Sequence, residues 1–105
     1  ILQEKITALP DNEQNICFFD KHMDKSNMRY AFNLLVEKCS GLCGCFDGDD
    51  ENGYRYVMGG RDVDVIAAGK AMNEALDGRG GGSKEMFQGS LKAAREQIEE
   101  YFANL

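Results

Sequence analysis

The sequence predicts an α/β fold of the α+β kind, a small two-layer sandwich in which helices pack on a mixed sheet of about four strands. Two observations predict this class. The chain has 105 residues, of which 43% are hydrophobic, which is enough for one domain with a single modest core. Short runs rich in strand formers also alternate with segments of helical spacing, in the order β-α-β-β-α-β-α.

The first half of the chain predicts a helix, a strand, a second helix and a β-hairpin. Their ranges are 1–9, 15–20, 24–41 and the paired strands 42–46 and 54–58, with an acidic loop at 47–53. The helical spacing of the first helix places Leu2, Ile6 and Leu9 on one side. Residues 10–12 end this helix. Asp24 or Ser26 caps the second helix, and Gly41 stops it.

The second half predicts a helix, a glycine segment, a brief extended piece and a last helix. Their ranges are 62–78, 78–82, 85–89 and 90–105. Asp62 or Asp64 caps the first of these helices, and small residues such as Gly69 let it approach its neighbour closely. Gly78 is the expected residue after its C-terminus, because glycine takes the left-handed conformation readily.

The net charge, the apolar runs and the cysteines indicate which partners and which compartment to expect. A net charge of −6 argues against binding nucleic acid by overall attraction, so such binding needs a local basic patch. No apolar run approaches the roughly 20 residues that span a bilayer, and no signal peptide opens the chain, so we expect no membrane partner. The cysteines lie in apolar surroundings and predict reduced thiols of a cytoplasmic protein: Cys17, Cys39, Cys43 and Cys45.

Several motifs with known chemistry fail. Gly82-Ser83-Lys84 lacks the Gly-Lys pair of a phosphate-binding P-loop, and the bunched glycines after a helix do not match a dinucleotide-binding fingerprint. A calcium loop starting at Asp47 would require Gly and Glu where Asn52 and Met58 stand, so a solvated hairpin tip is the better interpretation.

The cysteine spacing and the single histidine also favour plain interpretations. Cys39, Cys43 and Cys45 do not form the paired knuckles of a structural zinc site, and we interpret them as buried small hydrophobic residues, with no metal. His22 has no nucleophile motif beside it and is expected on the surface, so no catalytic residue is predicted.

The glycine segment predicts a binding site. Every residue from 78 to 82 is glycine except Arg79, and successive free N–H groups of such a stretch can bind an anion. A helix N-terminus expected at Ser90 would add positive potential. The bases near it outnumber the one acid, Glu85, and are Arg79, Lys84, Lys92 and Arg95. This pattern indicates a phosphate or nucleic-acid-backbone site; the alternative is a flexible surface loop beside a solvated basic face.

These residues resemble the "GGRGGGxPEMAQGG" signature of the DHH-associated domain, which ends alanyl-tRNA synthetases, longer alanyl-tRNA editing proteins and DHH phosphoesterases. The matching positions are 78–82, 85–86 and 88–89. The resemblance extends over most of the chain, because the predicted elements follow the family's order. The chain departs from the signature at Asp77, Lys84, Phe87 and Ser90.

The resemblance implies a branch and a domain division. Ser83 stands where the phosphoesterase branch typically has a histidine, which favours the alanyl-tRNA branch. Because the chain starts with Ile1, we expect it to be part of a longer protein. Residues 1–10 would end a helical linker from a missing upstream domain, and 11–105 would be the DHH-associated domain. Zinc would belong only to a missing editing domain, so no cofactor is expected in these residues.

The implied function is that of an accessory tRNA-binding domain without a catalytic site. The parent would be an aminoacyl-tRNA deacylase acting on mischarged tRNA(Ala), or an alanine–tRNA ligase. The partners would be tRNA(Ala) and the upstream editing or synthetase domain, with homodimerisation as a further expectation. The alternatives are the substrate-binding domain of a DHH phosphoesterase and a dimerisation module. The expected nucleic-acid-binding residues are Arg79, Gly80, Gly81, Gly82, Ser83, Lys84, Gln88 and Lys92.

Overall fold

Four helices and five strands form the part of the chain that the computed structural model describes, residues 2–10 and 14–105. In chain order they are α1 (Leu2–Thr7), β1 (Ile16–Asp20), α2 (Lys25–Lys38), β2 (Cys43–Asp49), β3 (Gly53–Gly59), α3 (Val65–Ala75), β4 (Gly78–Gly82), β5 (Phe87–Leu91) and α4 (Arg95–Ala103). The first residue of the expected linker helix and the predicted break at Asp11 and Asn12 lie outside the described residues.

The strands form one mixed sheet in the order β1-β2-β3-β5-β4. β1 and β2 are parallel, and every other neighbouring pair is antiparallel. The predicted α+β class is therefore confirmed. The sheet has five strands where about four were expected, because the glycine segment forms a strand of its own.

Helices lie on both faces of the sheet, which corrects the two-layer detail of the prediction. α2 packs against β2 and β3 on one face with α1 beside it, whereas α3 and α4 cover the other face. β2 shows the reason, because it is buried on both sides. Cys43 and Cys45 belong to the core under α2, while Phe46 packs edge-to-face against Phe102 of α4.

The helix starts follow the predicted caps. The Asp24 carboxylate accepts the Asn27 N–H at 2.8 Å at the start of α2, and Asp64 does the same for Ala67 at 3.2 Å at the start of α3. The predicted C-terminus of α3 is wrong by a few residues. Asp77, with φ 54°, takes the left-handed position expected for Gly78, which instead begins β4.

The predicted last helix, 90–105, begins later than expected. Residues 87–91 form a strand in which Phe87 and Leu91 are buried and the residues between them are more exposed, the two-residue period of a sheet. At the start of α4, two side-chain oxygens accept hydrogen bonds from backbone N–H groups that have no partner within the helix. Gln97 accepts from Ala94 and Asp50 accepts from Arg95, both at 2.9 Å.

The hairpin of β2 and β3, which we call the acidic hairpin, has a shorter tip than the predicted loop 47–53. Asp47 lies within β2, is 9% exposed and accepts a 2.5 Å hydrogen bond from Arg55. The predicted surface position of His22 is confirmed, because that side chain is exposed. None of the helices within residues 2–10 and 14–105 has the length and apolar character needed to cross a membrane.

The predicted burial of the cysteines is confirmed for Cys39, Cys43 and Cys45, and Cys17 is partly buried. Burial raises the pKa of the Cys45 thiol to about 12 and that of Cys17 to about 11. The Cys45 Sγ donates to the Met28 carbonyl at 3.2 Å. Across the described ranges, no three His, Cys, Asp or Glu side chains are grouped to hold a metal ion.

Candidate nucleic-acid interface

The glycine segment forms an edge strand instead of a loop. β4 pairs with β5 along its whole length, and its other edge has no partner strand among residues 2–10 and 14–105. The positive-φ glycines of the described chain are Gly48 and Gly53, so β4 lacks the alternating handedness of an anion-binding nest. The predicted anion site built from successive free backbone N–H groups is therefore wrong. We call β4, the turn at 83–86 and β5 the glycine hairpin.

Two glycines of β4 face α3 and the buried side of the sheet. A Cβ added to Gly78 would lie 2.7 Å from Asn73 Oδ1 of α3, and one added to Gly80 would lie 2.5 Å from the Tyr56 hydroxyl. Close packing against the protein's own groups therefore explains their missing side chains. Because neighbouring residues of a strand point to opposite faces, Arg79 and Gly81 point away from α3.

Gly81 is the glycine of β4 that packing does not explain. A Cβ at this position would meet no atom within 4 Å. At Gly82, by contrast, an added Cβ would come 2.8 Å from the Cα of Phe87. An exposed strand position with open space around it normally carries a side chain, because glycine weakens a strand. The bare backbone at Gly81 is therefore a candidate for close approach by a ligand.

Arg79, Gly81, Gln88 and Ser90 share one face of the glycine hairpin, which we call the open hairpin face. Arg79 is directly opposite Ser90 in the register, and Gly81 is opposite Gln88. All are exposed. On this side of the sheet α2 packs over β2 and β3, and none of the helices in the described chain covers β5 and β4.

A groove of about 230 Å³ runs beside the open hairpin face, between the first turn of α2 and β5. Its lining consists of Lys25, Met28, Arg55, Tyr56, Val57, Gln88 and Gly89. Met28 and Val57 are buried and provide an apolar floor. The side chains of Lys25, Arg55 and Gln88 are more exposed and supply the polar rim.

The face and the groove are positively charged in an otherwise acidic chain. Arg55 is held in place by Asp47 and by the Met23 carbonyl, each at 2.5 Å, yet half of its side chain remains exposed. No carboxylate forms an ion pair with Arg79 or Lys25 within the described ranges. An anion that reaches this face would therefore find two cationic side chains without a competing partner.

The structure brings some of the predicted site residues together and separates others. Arg79, Gly81 and Gln88 share the open hairpin face, whereas Gly80 and Gly82 point to the opposite face. Ser83 and Lys84 are exposed in the turn that joins the two strands. Lys92 lies at the far end of the hairpin, where its N–H donates to the Asp77 carbonyl at 3.3 Å.

Two residues that were expected to add positive charge to the site do not do so, and a buried tyrosine lies behind β4. Arg95 lies 4.4 Å over the ring of Phe19 and pairs with Glu99, so it does not join the bases near the glycine segment. Ser90 is in a strand and not at a helix N-terminus. Tyr56 is buried beneath Gly80, where its hydroxyl donates to Asn73 at 2.7 Å.

Sequence reasoning missed Lys25 and Arg55 as neighbours of the site, and it placed Ser90 there as a helix N-terminus instead of a strand residue. A signal for Arg55 and for the strand position of Ser90 was available. In β3 the buried Tyr54 and Tyr56 alternate with Arg55, which places Arg55 on the other face. The same alternation within 87–91 places Ser90 beside Gln88. Lys25 carries no such signal, because its approach depends on how α2 packs on the sheet.

No protein-family model matches the chain, and no curated protein sequence matches it. Among solved structures, the chain is similar to the C-Ala domain of the alanyl-tRNA synthetase of Aquifex aeolicus, with a TM-score of 0.67. The match extends over 90% of this chain and 93% of that domain, at 14% sequence identity. At this identity the similarity shows a shared fold, and the assignment to the DHH-associated family remains a prediction.

Proposed function

We propose that this chain is an accessory tRNA-binding domain of an alanyl-tRNA synthetase-related or alanyl-tRNA editing protein, acting in the cytoplasm. The observation that carries the proposal is the open hairpin face, where exposed Arg79 lies beside Gly81, whose missing side chain the packing does not require. The shared fold with the C-Ala domain of an alanyl-tRNA synthetase supports the choice of tRNA as the nucleic acid.

The RNA backbone fits this face for two physical reasons. Arg79 can neutralise a phosphate and donate paired hydrogen bonds to its oxygens. At Gly81 the absence of Cβ lets a sugar-phosphate chain come close to the protein backbone. Ser83 and Lys84 in the adjacent turn would extend the contact along the strand direction. Because the whole chain carries a charge of −6, binding depends on this local patch and weakens steeply with salt.

The proposal assigns no catalysis to these residues. In the longer protein, the editing or synthetase domain upstream of residue 11 would carry the reaction and any zinc. That reaction would be hydrolysis of mischarged tRNA(Ala) or alanylation of the tRNA. The proposed domain, residues 11–105, would increase the affinity for the tRNA and position it.

A second candidate function, homodimerisation, has one specific observation in its favour. The outer edge of β4 exposes backbone N–H and C=O groups, and residues 80–82 add no side chains that would hinder pairing with a second strand. A dimer formed this way would appear in light scattering without RNA.

The test of RNA binding is a salt series with a tRNA(Ala) transcript and two charge-matched variants. Arg79→Ala removes a base from the open hairpin face, and Lys70→Ala removes an exposed base from α3 on the opposite side of the sheet. Affinity of the wild type should fall linearly with log salt concentration. Arg79→Ala should reduce that slope by roughly one phosphate contact, and Lys70→Ala should leave it unchanged.

The proposal fails if the wild type does not bind the transcript at low salt. It also fails if both variants weaken binding equally, because the loss would then reflect net charge and not the open hairpin face.

A further inference from the structure

We infer that the groove beside the open hairpin face holds the base of one unpaired nucleotide of the bound RNA. The inference rests on the proposed function and extends it, because it names which part of an RNA strand the domain selects. The groove and the face are continuous, since Gln88 belongs to both. A strand whose phosphates lie on Arg79 can therefore place a base at Gln88.

The shape and floor of the groove suit a flat aromatic ring. With a volume of about 230 Å³ and a floor of Met28 and Val57, it can take one planar group against apolar atoms. The Met28 thioether adds a favourable contact for an aromatic ring. Bases inside an RNA duplex are stacked and cannot enter such a groove, whereas bases of loops and ends can turn outward.

The rim of the groove can recognise a nucleotide by hydrogen bonds and charge. The Gln88 amide provides donors and an acceptor, and it makes no hydrogen bond to another group of the described chain. Such an amide can pair with the edge of a base. Arg55, positioned by Asp47, and Lys25 provide positive charge for the phosphates on either side of that base.

A second groove of the molecule is unsuited to the same ligand. It lies near Phe19, Tyr54 and Arg95 and also offers aromatic surface. Its lining includes three carboxylates, Asp20, Asp49 and Asp50, which repel phosphates. The basic rim is therefore what distinguishes the groove at Gln88 as the nucleotide site.

The experiment compares two RNA hairpins of the same stem, one with an unpaired extension and one fully paired to its end. The wild type should bind the extended RNA more tightly. Gln88→Ala should lower affinity for the extended RNA roughly tenfold and affinity for the blunt RNA much less, so that the preference of the wild type for the extended RNA is lost. Asn33→Ala, which removes an exposed amide from α2, is the matched control and should change neither.

A fluorescent 2-aminopurine in the unpaired extension provides a second readout, and the chain has no Trp to interfere. Its fluorescence should change on binding to the wild type and much less on binding to Gln88→Ala. Equal affinity of the wild type for both RNAs, with no fluorescence change, would overturn the inference while leaving the proposed function intact. Failure of both RNAs to bind would instead overturn the proposed function.

Discussion

The two hairpins of the sheet differ in how their polar groups are satisfied. At the tip of the acidic hairpin, Asp49 accepts the Asn52 N–H at 2.7 Å, and Asp50 accepts the Tyr54 hydroxyl and the Arg95 N–H. On the glycine hairpin, Arg79 and Gln88 project from the sheet without a side-chain partner in the described residues. The carboxylates of the acidic hairpin are therefore occupied by internal hydrogen bonds, whereas the polar side chains of the glycine hairpin are available to a ligand.

Glycine also has different roles in the two hairpins. In the acidic hairpin, Gly48 and Gly53 have φ of 146° and 84°, values that side chains oppose. In the glycine hairpin, Gly78 and Gly80 have no positive φ and allow close packing. Gly81 has neither reason. The comparison indicates that a run of glycines can combine structural positions with one functional position, which substitutions should separate.

The largest expected effect is on stability, from Gly48→Ala in the acidic hairpin. Gly48 has a φ of 146°, which residues with a side chain rarely adopt, and an added Cβ would lie 3.0 Å from the Cα of Tyr54. We expect the free energy of unfolding to fall by about 3 kcal/mol, measured by urea denaturation. A loss below about 1 kcal/mol would mean that the tip relaxes and that this glycine is not required by conformation.

The next effect separates two neighbouring glycines of β4. Gly80→Ala should lower the free energy of unfolding by about 2 kcal/mol, because the methyl group would press on the Tyr56 hydroxyl and on the backbone of β5. Gly81→Ala should change it by less than about 0.5 kcal/mol. Urea denaturation of both variants measures the contrast.

Binding should show the reverse order for Gly81. Because its added methyl group stands on the open hairpin face, Gly81→Ala should weaken tRNA binding several-fold while the protein stays folded. Unchanged affinity would show that RNA does not approach the backbone there. If both variants destabilise the protein equally, the assignment of Gly81 to the open face is wrong.

Elements in which apolar residues recur at a regular spacing were predicted correctly from the sequence. The prediction was wrong for the glycine segment, because glycines show no such spacing. The Asp24 and Asp64 caps and the acidic hairpin could be placed from local patterns. The strand of residues 78–82 could not, because glycine is a poor strand former and shows no apolar alternation. Its pairing with 87–91 depends on contacts with Tyr56 and α3 that a local pattern does not contain.

The candidate site was predictable in its charge and not in its geometry. Arg79 and Gln88 were found from the motif, but Lys92 lies at the other end of the hairpin and Arg95 stacks on Phe19. These bases were grouped because they are close in the sequence. In the structure, β5 runs from the turn at 83–86 to the other end of the hairpin and so separates Lys84 from Lys92. Which bases share a face depends on the strand register, and that register appears only in the folded sheet.

A smaller effect concerns the residue that precedes the glycine hairpin. Asp77 has φ 54°, which costs a side chain about 1 kcal/mol, although glycine loses more chain entropy on folding. Asp77→Gly should therefore raise the free energy of unfolding by about 0.5 kcal/mol. The control Asp62→Gly, at an exposed residue without positive φ, should lower it. Destabilisation by Asp77→Gly would show that the Asp side chain contributes more than the strain it costs.

The smallest effect tests the internal bonding of the acidic tip through pH. The Arg95 N–H and the Tyr54 hydroxyl hold the pKa of Asp50 below its ordinary value of 3.8. Because the pKa of Asp50 is lower in the folded protein than in the unfolded chain, the ionised carboxylate stabilises the fold fully above pH 3.8. This stabilisation is lost as pH falls through the pKa of the folded state. Asp50→Asn can still accept hydrogen bonds but carries no charge at the N-terminus of α4.

We therefore expect wild type to exceed Asp50→Asn in stability near neutral pH, with the difference shrinking as pH falls below 3.8. Urea unfolding midpoints across that range measure it, and Glu51→Gln at the same tip is the control for a simple loss of charge. A difference between wild type and Asp50→Asn that stays constant with pH would contradict the role of the ionised carboxylate. The acidic hairpin would then hold α4 by geometry alone, and the electrostatic contrast with the glycine hairpin would be weaker than the hydrogen bonds suggest.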